Sequence, residues 1–358
     1  MVVLIVACVI IIQLLVARLF LSGSDHSQYD SPEHLPATAR EEPSLEHGQV
    51  AKLIGAWKDT GGASGSRPRG RGRLRQVRNR MDQMAENLDF EGKIFPVDVN
   101  GVDSEWVIAP GSKPNKRILY VHGGGFVAGS SKSHRPITSE LARRLGASVL
   151  AINYRLMPEN TRKDSIEDCR TAYKWILKNG PDGESPAKVM VMAGDSAGGN
   201  LVLSTAAWAR DQEIQKADIV IALSPVTDVS WSSPSIKSNR ASDIMLGSSL
   251  GQIGRIPRSI SLWFAWIFNR TTPNNPEVSP LFGRLSGLPP TLIHASSSEM
   301  LFDDCKRYVN KANDSGSEAV LGVWPLMIHV WHIFVGSVPE AKEAFDNIEE
   351  FVNSHIAD

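Results

Sequence analysis

The chain has 358 residues, enough to bury the core of one large domain with additions. Its formal net charge of −1 supplies no global field for nucleic acid or for acidic substrates. Three cysteines exclude a disulfide scaffold, and none has a Cys/His spacing suited to zinc.

Met1–Ala17 is apolar except for Gln13, and Leu19–Leu21 extend the run past Arg18. About 20 such residues can cross a bilayer. The start lacks Lys and Arg, and only Ser22-Gly23-Ser24 offers a cleavage point. Residues 1–21 are therefore read as an uncleaved membrane anchor rather than a signal peptide. The expected placement is a single pass in the endoplasmic reticulum with a lumenal catalytic domain, with secretion after cleavage as the alternative. The sequons at Asn269 and Asn313 are compatible with it. Cys169 and Cys305 read as buried free thiols, with one bridge open to them in a lumenal domain. Residues 22–66, rich in Ser, Pro, Glu and Gly, read as a polar stalk. A basic run follows at Arg67, Arg69, Arg71, Arg73, Arg75, Arg78 and Arg80. It has no interleaved aromatics, so it reads as a solvated or headgroup-facing segment and not as a nucleic-acid site.

From Lys93 onward strands and helices alternate, which predicts an α/β fold with a mostly parallel sheet covered on both faces. Eight strands are expected at Ile94–Val99, Glu105–Ala109, Arg117–Val121, Ser148–Asn153, Lys188–Ala193, Asp218–Leu223, Thr291–Ala295 and Ala319–Trp324. The first two form an antiparallel hairpin around Asn100-Gly101. Helices are expected at Ile137–Leu145, Ser165–Lys178, Ala197–Arg210, Met300–Asp314 and Pro339–Val352. Residues 229–276 interrupt the alternation with Trp231, Trp263, Phe264, Trp266 and Phe268.

Two motifs carry chemistry. Gly194-Asp195-Ser196-Ala197-Gly198 lies between a predicted strand and a predicted helix, the setting of a nucleophile elbow. His122-Gly123-Gly124-Gly125 ends another strand, where bare backbone N–H groups can turn toward an oxyanion. A phosphate loop fits poorly, because no Gly-Lys-Ser/Thr follows. Neutral serine needs a base, and in an elbow of this kind the chain order is Ser, then Asp or Glu, then His. After Ser196, His294 lies inside a strand and His355 near the end, which leaves His329, with His332 in reserve. Glu299, Asp303 and Asp304 follow the strand Thr291–Ala295 as candidate acids.

Taken with Asn153–Glu159, Ser224–Asp228, Ser279–Leu281 and His329–His332, the two motifs make the chain resemble the hormone-sensitive-lipase-like esterases of the α/β-hydrolase superfamily, arylacetamide-deacetylase-like and bacterial family IV members included. The resemblance runs from about Arg78 to the C-terminus. It implies an α/β-hydrolase domain over residues 67–358, with a helical cap from about 67–90 and 229–276. It places the acid at Glu299 rather than Asp303. It implies hydrolysis of small to medium hydrophobic esters by Ser196, Glu299 and His329, the oxyanion being held by N–H groups of Gly124, Gly125 and Ala197. His122, Gly123 and Asp195 then support the loop, since an ionised Asp195 would oppose the oxyanion. No metal or cofactor is called for, and the partner is a small-molecule ester. The sequence leaves open a membrane-active lipase, a lactone hydrolase and a non-catalytic ligand-binding protein. Two departures fall in supporting structure: Asn160–Asp164 replaces an apolar, Pro-containing stretch, and Val226 stands where Trp is frequent.

Overall fold

The computed structural model describes residues 8, 11–31, 42–60, 70–83, 85, 89–248, 250–251 and 253–356, with residues 57–60 described by backbone alone. Eight strands form one sheet: β1 (Lys93–Val99), β2 (Val102–Ile108), β3 (Lys113–Val121), β4 (Ala147–Ile152), β5 (Val189–Asp195), β6 (Ile219–Leu223), β7 (Thr291–Ser296) and β8 (Ala319–Trp324). Their order is β1-β2-β4-β3-β5-β6-β7-β8. β1 and β2 pair antiparallel, as do β2 and β4, and the remaining neighbours are parallel. β4 and β6 are buried at every position, as expected of strands covered on both faces. One apolar cluster forms on each face of the sheet, the first with Leu119, Leu150 and Met192, the second with Ile118, Val149 and Val191. The parity of these strand residues is what divides them between the two layers.

Local chemistry explains where the elements depart from the sequence-based bounds. The two-residue turn at Asn100 (φ 52°) and Gly101 (φ 89°) is tight, so β2 begins at Val102. β3 reaches back to Lys113 across a register shift beside Pro114, which cannot donate to the ladder. The helix predicted from Ser165 starts at Arg162, because Thr161 and Asp164 form a reciprocal capping box. The main helices are α1 (Leu45–Thr60), α2 (Arg71–Gln83), α3 (Arg135–Leu145), α4 (Arg162–Ile176), α5 (Ala197–Asp211), α6 (Arg258–Asn269), α7 (Phe302–Asp314) and α8 (Pro339–His355).

The membrane anchor is not supported. Among the described residues no helix is long and apolar enough to cross a bilayer. Residues 1–7, 9 and 10 of that segment lie outside the described ones. Residues 11–16 are helical and run into a π-turn at Ala17–Leu21. Ala17 and Leu21 are buried against Leu262 of α6. Gln13 and Phe20 offer backbone carbonyls to Trp263 (3.3 Å) and Asn274 (3.2 Å). An apolar run of sufficient length is necessary for a span, but here part of its surface packs on protein. The single-pass placement in the endoplasmic reticulum falls with it. Cys169 and Cys305 are free and buried.

The described parts of 22–66, read as a stalk, lie against the domain. Arg307 of α7 grips Asp30 through two hydrogen bonds (2.6 and 2.9 Å) and reaches Ser232 (3.0 Å). Ser44 donates from N and Oγ to Glu340 (2.5 and 2.8 Å), and Ile328 N donates to His47 Nε2 (3.0 Å). Val50, Ala51 and Ile54 of α1 pack on the cluster of Trp324, Trp331 and Ala341. Asp30 is about one-third exposed while Arg307 is nearly buried, so their bond is only partly screened. Asp30→Ala is expected to cost about 1 kcal/mol, a fall in Tm of about 2–4 °C by calorimetry. An unchanged Tm would show that the contact contributes nothing to stability.

Candidate active site

β5 ends in a turn that only its own sequence permits. Ser196 sits at φ 51°, ψ −115°, a region costing roughly 1–3 kcal/mol for a side-chain-bearing residue. The turn is held from outside: Ser196 N donates to Leu223 O of β6 (2.7 Å), and Ser196 O accepts from Asn200 N (3.1 Å) and Val226 N (3.3 Å). Glycine is required on both sides by contact. A Cβ at Gly198 would lie 1.9 Å from Val121 O, and one at Gly194 would lie 2.7 Å from the same atom. α5 therefore starts against the end of β3, with its unpaired first N–H groups at Ser196.

His329 Nε2 lies 2.8 Å from Ser196 Oγ, and His329 Nδ1 lies 2.8 Å from Glu299 Oε2. A carboxylate only accepts, so Nδ1 carries the proton and Nε2 is left to accept from the serine hydroxyl. Glu299 is fully buried, and its other oxygen accepts from Ser224 Oγ (2.8 Å) and Ser296 N (2.9 Å). Burial pushes the His329 imidazole down. The hydrogen bond and charge of Glu299, with Asp243 and Asp195 beyond, outweigh it and leave the group above its ordinary value. Ser196 itself is nearly buried, only 8 % exposed.

The alternatives are placed elsewhere. Asp303 accepts from Ser235 N (2.8 Å) and pairs with Lys306 (2.8 Å). His332 is turned toward His294 (3.0 Å), whose far nitrogen meets Asn347. Burial and its neighbouring histidines hold His332 well below the usual imidazole range. Asp304 is buried near Asp228, and burial with that carboxylate raises it well above the usual range.

The glycine loop is braced around Asp195. Asp195 Oδ1 accepts from Tyr120 (2.6 Å) and from Gly123 N (3.0 Å), while Oδ2 pairs with His134 Nε2 (3.3 Å). Burial would raise this carboxyl, but His134, Tyr120 and His122 hold it below its ordinary value. Burial likewise lowers His134, but Asp195 carries it above the usual imidazole value. His122 donates from Nδ1 to Gly123 O (2.7 Å) and stacks on Tyr154 at 4.4 Å, and burial pushes it down to about 3. Gly124 (φ 116°) and Gly125 (φ 62°) hold the turn, and a Cβ at Gly124 would meet Ala128 O at 2.1 Å. Among the described residues, their N–H groups have no internal acceptor.

Residues without a sequence signal complete the site: Tyr120, His134, Ser296 and Asp243. Ser224 was visible only as the head of Ser224–Asp228. At the departure in 160–164, Arg162 is fully buried over the Phe126 ring (3.5 Å) and donates to Asn200 Oδ1 (2.8 Å). Burial brings it down to about 10.

A family profile described as alpha/beta hydrolase fold matches residues 118–333. An acetyl-hydrolase of Streptomyces hygroscopicus is 32% identical over 258 residues, 72% of this chain and 82% of that protein. An esterase of Acinetobacter venetianus is 32% identical over 262 residues, covering 73% and 82%. The crystal structure of an esterase from the bacterial hormone-sensitive lipase family superimposes with a TM-score of 0.75 at 31% identity, covering 88% of this chain and 100% of that one.

The Asp195–His134 pair has a definite pH signature. With its pKa raised in the folded state, His134 contributes stability that is full below the unfolded value of about 6.5 and is lost as pH rises through the folded value. Asp195, with its pKa depressed, contributes above the ordinary carboxyl value and loses that share as pH falls through its folded value. Urea unfolding of wild type and His134→Asn from pH 5 to 9 should show a deficit of about 3 kcal/mol near pH 5.5 that shrinks toward pH 9. A deficit independent of pH would mean that the pair is not ionic.

Proposed function

Because the chain belongs to the hormone-sensitive-lipase-like esterases of the α/β-hydrolase fold, and hydrolyses carboxylic esters, we propose that it does so through an acyl-enzyme on Ser196. The observation that carries this reading is the unbroken line Ser196 Oγ, His329, Glu299, each contact 2.8 Å long. His329 Nε2 takes the proton as Ser196 Oγ bonds to the ester carbonyl carbon. Negative charge gathers on the carbonyl oxygen and is met by the N–H groups of Gly124, Gly125 and Ala197, each worth roughly 3–4 kcal/mol of barrier. The ester C–O bond breaks as His329 returns the proton to the leaving alcohol. Water then attacks the acyl carbon, passes its proton to His329, and Ser196 departs with that proton. Asp195 supports the glycine loop, with its charge matched by His134.

Buried apolar residues beside the elbow support a hydrophobic acyl or alcohol group. Phe126 and Val226 share one core cluster with Ala197 of the elbow, and Trp231 packs against it. A cap from 67–90 and 229–276 is supported by α2, whose Arg78 donates to Val127 O (2.8 Å) and Met157 O (3.0 Å) beside the glycine loop.

A fluorophosphonate probe should label the wild type and leave Ser196→Ala unlabelled; equal labelling of the variant would remove the assignment. On a short p-nitrophenyl ester, Glu299→Gln should lower kcat by roughly 10³–10⁴-fold, while Asp303→Asn stays within a few-fold. The reverse pattern would make Asp303 the acid. The acid limb of kcat/KM should lie above the ordinary imidazole value, since neutral His329 is the active form.

A further inference from the structure

The loop that carries Glu299 depends on residues of another element. Asn239 Nδ2 donates to Ser297 O (2.8 Å) and to Glu299 O (2.9 Å), and Ser242 Oγ donates to Ser298 O (3.1 Å). Asp243 Oδ2 accepts from Met300 N (2.9 Å), while its Oδ1 accepts from Met245 N (3.0 Å) and Leu246 N (2.7 Å). Ser235 Oγ donates to Met300 O (2.8 Å). Four consecutive residues, Ser297 to Met300, thus have backbone groups gripped by one stretch of the segment between β6 and α6.

We propose that the segment Ser235–Asp243 is a positioning element for Glu299, so that its seating sets how strongly His329 acts as a base. Asp243 is the member with an electrostatic share. It is buried and carries charge toward His329 as well as holding the Met300 amide. The charged and titratable groups facing His329 are Glu299 from its own loop, Asp195 from the elbow, Asp243 from this segment and the neutral His332. Hydrogen-bonded restraint of this kind matters because a misplacement of about 1 Å can cost on the order of 100-fold in rate.

The inference rests on Glu299 and His329 acting as proposed above. The test compares full-length wild type, Asp243→Asn, Asn239→Ala and Glu299→Gln on a short p-nitrophenyl ester across pH. Asp243→Asn should lower kcat by about 10- to 100-fold with KM within about twofold. Its acid limb of kcat/KM should move to lower pH, because removing an anion withdraws support from the imidazolium. A merely structural role would leave that limb in place. A folded Asp243→Asn with unchanged kcat and limb, beside a collapsed Glu299→Gln, would overturn the inference alone. Normal turnover in Glu299→Gln would instead overturn the reading on which it rests. If Asp243→Asn does not fold, Asn239→Ala decides: a fall in kcat at constant KM supports the positioning role, and unchanged kcat refutes it.

Discussion

The approach of the elbow to the end of β3 is the constraint on which the site depends. Gly198 passes so near the Val121 carbonyl that no side chain fits, and Gly123 leaves no room beside Asp195, where a Cβ would fall 2.1 Å from Oδ2. These contacts bring two motifs far apart in sequence together at the C-terminal ends of the two central strands. The serine turn and the glycine loop are then parts of one packed unit, and neither can shift without opening a void or a clash in the other. The parallel strands on either side supply the rigidity, since β3, β5 and β6 carry apolar residues to both faces.

That unit encloses charge, which is costly without compensation. Asp195 meets it with three partners on three different elements, and Glu299 with His329, Ser224 and Ser296. Where the neighbours do not outweigh burial the ionisable group is held neutral, as for His122 and His294, the latter pushed down to about 4. The interior thus sorts its histidines by neighbour. His329 and His134 face carboxylates and are raised, while the others are kept uncharged.

What was legible in the sequence follows from how local each requirement is. Alternating apolar runs located all eight strands, since a buried parallel strand must be apolar throughout. The glycine motifs were legible because a positive φ or a backbone contact restricts the residue type itself. Ser296, Ser224 and His134 are ordinary polar residues whose importance lies in partners far along the chain, and Asp243 likewise. Helix α1 was hidden because Val50, Ala51 and Ile54 pack on α8 within a stretch whose composition is polar. The apolar N-terminal run misled for the opposite reason. Its length fits a bilayer, but Ala17 and Leu21 are used against Leu262, a tertiary contact that hydropathy does not register.

Val330, directly after His329, adopts φ 54°, and Leu326 before it adopts φ 60°. Branched side chains are disfavoured there, at a cost of roughly 1–3 kcal/mol each. The histidine loop is thus bracketed by two residues poorly suited to its shape, Val330 buried in the core and Leu326 about half exposed. Glycine or asparagine at the half-exposed Leu326 would relieve the local strain and offer a route to a more heat-resistant protein, whereas at the buried Val330 the lost packing would offset the gain. The same change would widen the range of conformations open to His329. Thermal robustness and turnover are therefore set against each other at this loop, and selection for one should be visible as loss of the other.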